Sequence, residues 1–290
     1  MLLVDGNSLG FTATAVNDLK SGSMQTGGVY GFLQTLRAAR ADFPGQMRVL
    51  WDGRSWRYEH YPDYKGNRAK VPALVALKQS WKAQKPYVAK LLTHLGVSQM
   101  FASNMEADDL AAKIVYAVPG SHTLITSDKD WCQLVSDRVT WFDPKYKRFC
   151  SPSNLKDIVG YNTVADFIQA KALTGDTSDN IKGVGRIGDG YAGLIFERFG
   201  SVEGLLSHKG EFPNKPIRDF AESEEKQQKY RDNLKLVKLH PSVIPPSENL
   251  VIVKGRKNKE AFSDTCAELA FNKFLRDADE WLDFFEKNND

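Results

Sequence analysis

The 290-residue chain contains only three cysteines, Cys132, Cys150 and Cys266, odd in number, widely spaced and without a CxxC pair. That excludes a disulfide framework and a cysteine zinc site, and points to reduced thiols in a cytoplasm. Histidine is scarce too: none of His60, His94, His122, His208 and His240 has a histidine or cysteine three or four residues on, so no zinc-binding pair is offered. No apolar run approaches the roughly 20 residues of a membrane span. The N-terminus, MLLVDGNSLG, reaches an aspartate after Leu-Leu-Val and lacks a basic region, so it does not read as a signal peptide.

The most telling absence is of one sign of charge. Between Tyr64 and Met105 there is no Asp or Glu, although 36 acids in 290 residues would place about five there. The same stretch carries Lys65, Arg68, Lys70, Lys78, Lys82, Lys85 and Lys90. A solvated face is the plain alternative, but such faces mix signs; a long one-signed segment suits a polyanion, most commonly nucleic acid. The net charge of +3 is uninformative beside this distribution. At 42 % hydrophobic and 26 % charged, the chain has the composition of a soluble globular protein, in one large or two smaller domains.

Short apolar runs ending in acids organise the first 150 residues. LLVD ends at Asp5, MRVLWD at Asp52, HTLITSDKD at Asp128 and Asp130, and RVTWFD at Asp143. Helical periods lie between them, as at 27–40 (Val29, Phe32, Leu33, Leu36) and 106–117. Such alternation predicts an α/β fold with a mostly parallel central sheet flanked by helices. Ligands of such sheets bind beyond the carboxyl ends of the strands, which brings Asp5, Asp52, Asp128 and Asp130 to one rim. Asp143 is expected at an outer strand and is left aside.

NMEADDLAAKIV, residues 104–115, adds Glu106, Asp108 and Asp109 at the start of a helix whose buried stripe would be Leu110, Ala111, Ile114 and Val115. Asn104 could cap it, and acids at a helix N-terminus gain roughly 0.3–1 kcal/mol each from the macrodipole. Each acid taken singly could equally be a cap or turn former. Seven at one rim cannot all be: they require either a cation or protonated carboxyls with raised pKa values. Oxygen-only ligands select hard ions, Mg²⁺ or Mn²⁺, and two such ions roughly 4 Å apart are the usual device for displacement at phosphorus.

LTGDTSDNIKGVGRIGDGYAGLI, residues 173–195, contains Gly183, Gly185 and Gly188 in a literal GxGxxG. A dinucleotide site needs a buried strand before it, and polar GDTSDNIK stands there instead, so a hydride-transfer reading fails. A helix–loop–helix fits better, with helices at 164–174 and around Ala192, Leu194, Ile195 and Phe199. Its glycine turn would offer amides to the phosphates of a duplex without reading bases; a mere flexible loop is the alternative. Asp176 and Asp179 precede the turn at i and i+3, a spacing at which one helical turn would aim both at one metal.

Taken together, Asp5, Asp52 in WDG, YPDYKGNR (61–68), MEADDLAA (105–112), TSDKD (126–130) and TGDTSDNIKGVGRIG (174–188) resemble, in this order, the motifs of the 5′-nucleases. That family includes the phage-type flap endonuclease/5′–3′ exonuclease and the N-terminal nuclease domain of bacterial DNA polymerase I. The resemblance covers roughly residues 1–205. It implies a PIN-like 5′-nuclease core over 1–175 with a basic helical arch inserted at about 56–95, and a helix-hairpin-helix-type duplex-binding motif over 176–205.

The resemblance further implies two Mg²⁺ ions, replaceable by Mn²⁺, held directly or through water by Asp5, Asp52, Glu106, Asp108, Asp109, Asp128, Asp130, Asp176 and Asp179. Lys65 and Arg68 would contact the scissile phosphate and Tyr64 would stack on an unpaired base. Lys70, Lys78, Lys82 and Lys85 of the arch, with Gly183, Gly185, Arg186 and Gly188 of the hairpin, would meet the DNA backbone, and K⁺ is a candidate ion at the hairpin loop. One departure is Asp189-Gly190-Tyr191 where the family's hairpin commonly supplies a Lys, leaving Arg186 as the substitute. The implied substrate is DNA with a 5′ flap, a nick or a free 5′ end, cleaved to a 5′ phosphate and a 3′ hydroxyl. The alternatives are a metal-dependent RNase acting on RNA–DNA hybrids and a non-catalytic junction-binding protein. The chain is expected to be a stand-alone, phage-encoded monomer in the cytoplasm of a bacterial or infected cell, with no membrane partner.

Residues 206–290 carry no chemical motif. SEEKQQKYRDNLKLV reads as a helix and HPSVIPPSEN as an extended linker, while VIVKGRKNKEAF carries a basic patch that is either a solvated hairpin or loop or a DNA contact. One last helix from about 260 is expected to bury Phe262, Leu269, Phe271, Phe274, Leu275, Trp281, Leu282 and Phe285, so the region should be mainly helical and pack on the core.

Overall fold

A computed structural model describes residues 1–286. Seven strands form its central sheet: β1 (Leu2–Asp5), β2 (Met47–Trp51), β3 (Ser98–Phe101), β4 (His122–Ile125), β5 (Val139–Asp143), β6 (Arg148–Cys150) and β7 (Val251–Val253). Their spatial order is β7-β3-β2-β1-β4-β5-β6. The five central strands run parallel, and β7 and β6 pair antiparallel at the two edges. The α/β expectation holds, with β1, buried at every position, in the middle of the sheet.

Ten helices matter for the site: α1 (Gly6–Val16), α2 (Gly27–Asp42), α3 (Pro72–His94), α4 (Ala107–Ala117), α5 (Val164–Thr174), α6 (Asp189–Phe199), α7 (Glu224–Val237), α8 (Lys259–Glu268), α9 (Asn272–Arg276) and α10 (Ala278–Glu286). The two-residue period of a strand sorts β1 between two cores. Leu2 and Val4 face α1, α2, α3 and the C-terminal helices, through Phe32, Leu36, Trp81 and Trp281. Leu3 faces α4 and the 3-10 turn Lys129–Leu134, through Leu110, Ile114 and Trp131. A third cluster, including Leu173, Ile187, Ile195, Phe220 and Tyr230, joins α5, α6 and α7 around the glycine turn. Among the described residues, no helix is long and apolar enough to cross a membrane.

Two readings of the C-terminal region change. VIV is not part of a solvated hairpin or loop but an edge strand, paired with β3. Val251, Ile252 and Val253 are all 41–48 % exposed, so no alternation of buried and exposed positions marks the segment in the sequence. The single last helix is three. Ala270 takes the left-handed conformation (φ 56°) and turns the chain after α8. The aromatic residues pack as expected: Phe262, Phe271, Phe274, Trp281 and Phe285 are buried, and Leu275 is half-buried.

The basic segment consists of a short helix (Arg57–His60), a run of turns, a 3-10 turn (Arg68–Lys70) and α3. From Arg68 to Ser80 no residue is buried, whereas Trp81, Gln84, Val88, Leu91 and Leu92 root the rest of α3 on the core. Gln84 has a further task. The N-cap of α2, Thr26, makes no side-chain cap, and the Gln84 carbonyl accepts from the amides of Gly28 (2.7 Å) and Val29 (3.2 Å) instead. Leaving buried amides without an acceptor costs about 1–3 kcal/mol each. Gln84→Ala is therefore expected to lower stability by about 2 kcal/mol or more in urea unfolding, and an unchanged midpoint would show that water replaces the amide.

Candidate metal centre

The acids reach one rim because the parallel strands end there. Asp5 closes β1 and caps α1: Oδ1 accepts from Ser8 N (2.9 Å) and Oδ2 from Thr126 Oγ1 (3.0 Å). Asp52 follows β2, with Oδ1 accepting from Ala107 N (2.8 Å) and Oδ2 from Asn7 Nδ2 (2.6 Å). Asp128, after β4, accepts from Asp130 N (2.9 Å). α4 begins with a capping box in which Glu106 is the N-cap and the Asp109 carboxylate accepts from Glu106 N. Asn104 is therefore not the cap; it bonds Pro246 O and Glu248 N. Asp143 lies apart, fully buried with Ser127 and Arg148.

The carboxylates gather into two groups. Oxygens of Glu106, Asp108 and Asp109 lie within 4.8 Å of one another, and so do those of Asp130, Asp176 and Asp179. Asp176 and Asp179 are brought together by a hairpin turn rather than a helical one: Gly175–Asp176 pairs antiparallel with Ile181–Lys182, and Asp176 Oδ1 accepts from Ser178 N and Asp179 N. The all-oxygen donor set fits hard divalent cations.

The chain's own cations interleave with these acids. Arg57, 2 % exposed, pairs bidentately with Asp109 (3.0 and 3.0 Å), reaches Glu106 (3.3 Å) and donates to Leu236 O. Both oxygens of Asp109 are thereby engaged away from solvent. Lys65 Nζ lies 2.5 Å from Glu106 and 3.7 Å from Asp179, while Arg68 contacts Asp179 at 2.8 Å. Lys171 of α5 bridges Asp130 and Asp176. Arg57, Lys171, Thr126 and Asn7 join the site without being marked for it by the sequence motifs. Lys171, five residues before Asp176, and Arg57, eight before Lys65, carry no signal beyond being basic near acidic motifs.

Tyr64 sits where the two groups meet. Its hydroxyl lies 2.9 Å from both Glu106 and Asp179. A phenol has one proton for these two contacts, and the Lys65 ammonium beside both acids makes up the deficit in positive charge. At 1 % exposure, with Tyr58 edge-on and Lys65 over its ring, Tyr64 offers no free face for a base to stack on. That expectation is corrected by burial. Lys70, Lys78 and Lys82 are exposed, but Lys85 is half-buried with its ammonium over the Trp51 ring. In the glycine turn, Gly185, Arg186 and Gly188 are exposed, and Gly185 (φ 92°) and Arg186 (φ 56°) are left-handed. Gly183 serves packing: a Cβ there would lie 2.4 Å from Thr174 O.

Electrostatics divides the acids. Burial opposes ionisation of Glu106, but Lys65 and Arg57 outweigh it and hold the carboxyl at about 2; Lys171 does the same for Asp176, also at about 2. Burial, then the charge of Asp52, pushes Asp5 up to about 7. Asp108 is raised by burial and then by Asp109, and Asp130 by burial against the pull of Lys171. Asp128 rises to about 7 by desolvation and then Asp130, but its side chain stands open to solvent, which screens the effect.

Known proteins match this arrangement along most of the chain. The family models for the 5′–3′ exonuclease N-terminal resolvase-like domain and C-terminal SAM fold match residues 1–160 and 162–261. DNA polymerase I of Bacillus subtilis is 28 % identical over 291 residues, covering 95 % of this chain and 32 % of that protein. The chain thus spans about a third of the length of this curated relative. Among solved structures, the bacteriophage T5 flap endonuclease in a pseudo-enzyme–product complex with DNA and metal ions is 25 % identical, with a TM-score of 0.71 over 97 % of this chain and 98 % of that one. The T5 5′-exonuclease with bound zinc gives 25 %, a TM-score of 0.68, and coverage of 99 % and 98 %.

Asp5 titrates at about 7 against 3.8 ordinarily, so its contribution to folding is full below 3.8 and is lost as pH rises through about 7. Divalent ions need the ionised carboxylate. Uptake of a divalent cation at pH 6.5 is thus expected to release protons, seen by calorimetry as a heat that scales with the buffer's ionisation enthalpy, and affinity should rise between pH 6 and 8. A heat independent of buffer would show the acid already ionised.

Proposed function

The chain belongs to the 5′–3′ exonuclease family, and on that basis we propose that it is a divalent-metal-dependent, structure-specific DNA 5′-nuclease. The reading is that it hydrolyses phosphodiesters at 5′ ends, nicks and flap junctions in DNA replication or repair. The observation that carries it is the pair of carboxylate groups at one rim, with Lys65 and Arg68 among them and the glycine turn beside them.

Mg²⁺, or Mn²⁺ in its place, would be held by Asp5, Asp52, Glu106, Asp108, Asp128, Asp130, Asp176 and Asp179. It would supply a hydroxide at neutral pH and offset charge on phosphorus and the leaving oxygen. Asp109 is read as the anchor of Arg57 rather than as a ligand, because it is wholly buried and its charge is already matched by the guanidinium across both oxygens. Lys65 and Arg68 would turn from Glu106 and Asp179 to the scissile phosphate, where the guanidinium can bind two oxygens at once. Gly185, Arg186 and Gly188 would grip the duplex through its phosphates, so specificity would be for DNA shape rather than sequence.

Labelled 5′ flap, nicked duplex and RNA–DNA hybrid, each with Mg²⁺ or EDTA, separate this reading from an RNase and from a non-catalytic binder. Flap cleavage dependent on Mg²⁺ is expected. Lys65→Ala should slow single-turnover cleavage by about 10²-fold or more while changing flap affinity far less; comparable losses would refute its catalytic role. Asp128→Asn should abolish cleavage with junction binding kept, and near-normal activity in Mg²⁺ would contradict the ligand assignment.

A further inference from the structure

One side chain that is neither acid nor cation touches both a carboxylate of the rim and the long basic helix. Asn7, the second residue of α1, places its amide between Asp52 and Trp81: Nδ2 donates to Asp52 Oδ2 at 2.6 Å, and Oδ1 accepts from Trp81 Nε1 at 3.2 Å. The indole N–H can only donate and an ionised carboxylate can only accept. The amide therefore has a single workable orientation; flipped, it would set donor against donor and acceptor against acceptor.

Both ends of this bridge are fixed. Trp81 is 2 % exposed, stacks on Phe32 (6.1 Å, 15°) and lies against Gly10, where a Cβ would come within 2.1 Å of the indole. It is the first buried residue of α3 after the Arg68–Ser80 stretch, in which none is buried. Asp52 is held at its other oxygen by the first amide of α4. Each carboxylate oxygen accepts one hydrogen bond in this arrangement and keeps a second lone pair for an ion.

We propose that Asn7 is a positioning residue that ties the orientation of the Asp52 carboxylate to the seating of α3 through Trp81. The root of the basic helix and the metal rim then share one hydrogen-bonded relay, Trp81 to Asn7 to Asp52 to the start of α4. The inference rests on Asp52 being a metal ligand. Hydrogen-bond partners of ligands typically change metal affinity by about 10–100-fold when removed, because an unheld carboxylate spends part of its time turned away from the ion.

The test is a calorimetric Mg²⁺ titration of the wild type, Asn7→Ala, Trp81→Phe and the double variant, with thermal unfolding in parallel. Asn7→Ala is expected to weaken Mg²⁺ binding about tenfold and to raise the Mg²⁺ needed for half-maximal cleavage by the same factor, with a smaller loss of turnover at saturating Mg²⁺. Trp81→Phe keeps the ring stack but removes the donor, so it should shift Mg²⁺ affinity in the same direction, and the double variant should be no weaker than Asn7→Ala. In the wild type the Trp81 indole N–H resonance should move on adding Mg²⁺ and should stay still in Asn7→Ala, a readout that stands even if Trp81→Phe fails to fold. Unchanged Mg²⁺ affinity in Asn7→Ala, additive shifts in the double variant, or an indole signal that responds alike in both proteins would overturn the relay. A wild type that takes up no Mg²⁺ would instead overturn the assignment of Asp52.

Discussion

Mutual repulsion among carboxylates is the constraint around which this molecule is arranged. Three parallel strands deliver Asp5, Asp52 and Asp128 to one edge, a helix start adds Glu106, Asp108 and Asp109, and a hairpin adds Asp176 and Asp179. Such a concentration of charge is tolerable only with compensation, and the chain supplies much of it internally. Arg57 neutralises Asp109 from within the core, Lys171 lies between Asp130 and Asp176, and Lys65 and Arg68 close the top. The result is graded rather than uniform: Glu106 and Asp176 ionise readily, while Asp5 holds its proton near neutrality. Asp109, matched by Arg57 inside the core, is a fixed part of the frame; Asp5, with its raised proton affinity, is an acid that an incoming ion would claim.

The compensation also binds distant parts of the chain together. Residues 61–68 lie along 177–180 through Tyr61 to Asn180 O, Lys65 N to Asp179 O, Asn67 to Thr177 O and Asn180 to Asp63 O. The foot of the basic segment is thus laced to the hairpin that carries Asp176 and Asp179. Arg57 ties the same foot to the end of α7 through Leu236 O. The region without a chemical motif therefore helps to hold the rim, as do the aromatic residues of α8, α9 and α10 that pack on α1, α2 and α3.

What the sequence revealed follows physical rules of short range. The ends of buried apolar runs located Asp5, Asp52 and Asp128, and helical periodicity located α2, α4 and α5 almost to the residue. What it hid depends on contacts between distant segments. Neither the acceptor role of Gln84 for α2 nor the burial of Tyr64 leaves a local trace, because each arises where separate elements meet. β7 went unseen because all three of its residues are exposed, so it lacks the alternation by which a half-buried strand is recognised. Gly183 stands among glycines that suit a phosphate-binding turn, yet it is the carbonyl of Thr174, 2.4 Å from where a Cβ would lie, that leaves no room for a side chain there.

The hydroxyl of Tyr64 and the ammonium of Lys65, each facing Glu106 on one side and Asp179 on the other, remove any independence between the two halves of the basin. Whatever settles in one half alters the shared groups and so changes the affinity of the other. Thermodynamic reciprocity demands that the influence be equal in the reverse direction. Two ions taken up there would be coupled through these shared groups, and a single intrinsic dissociation constant would not describe them.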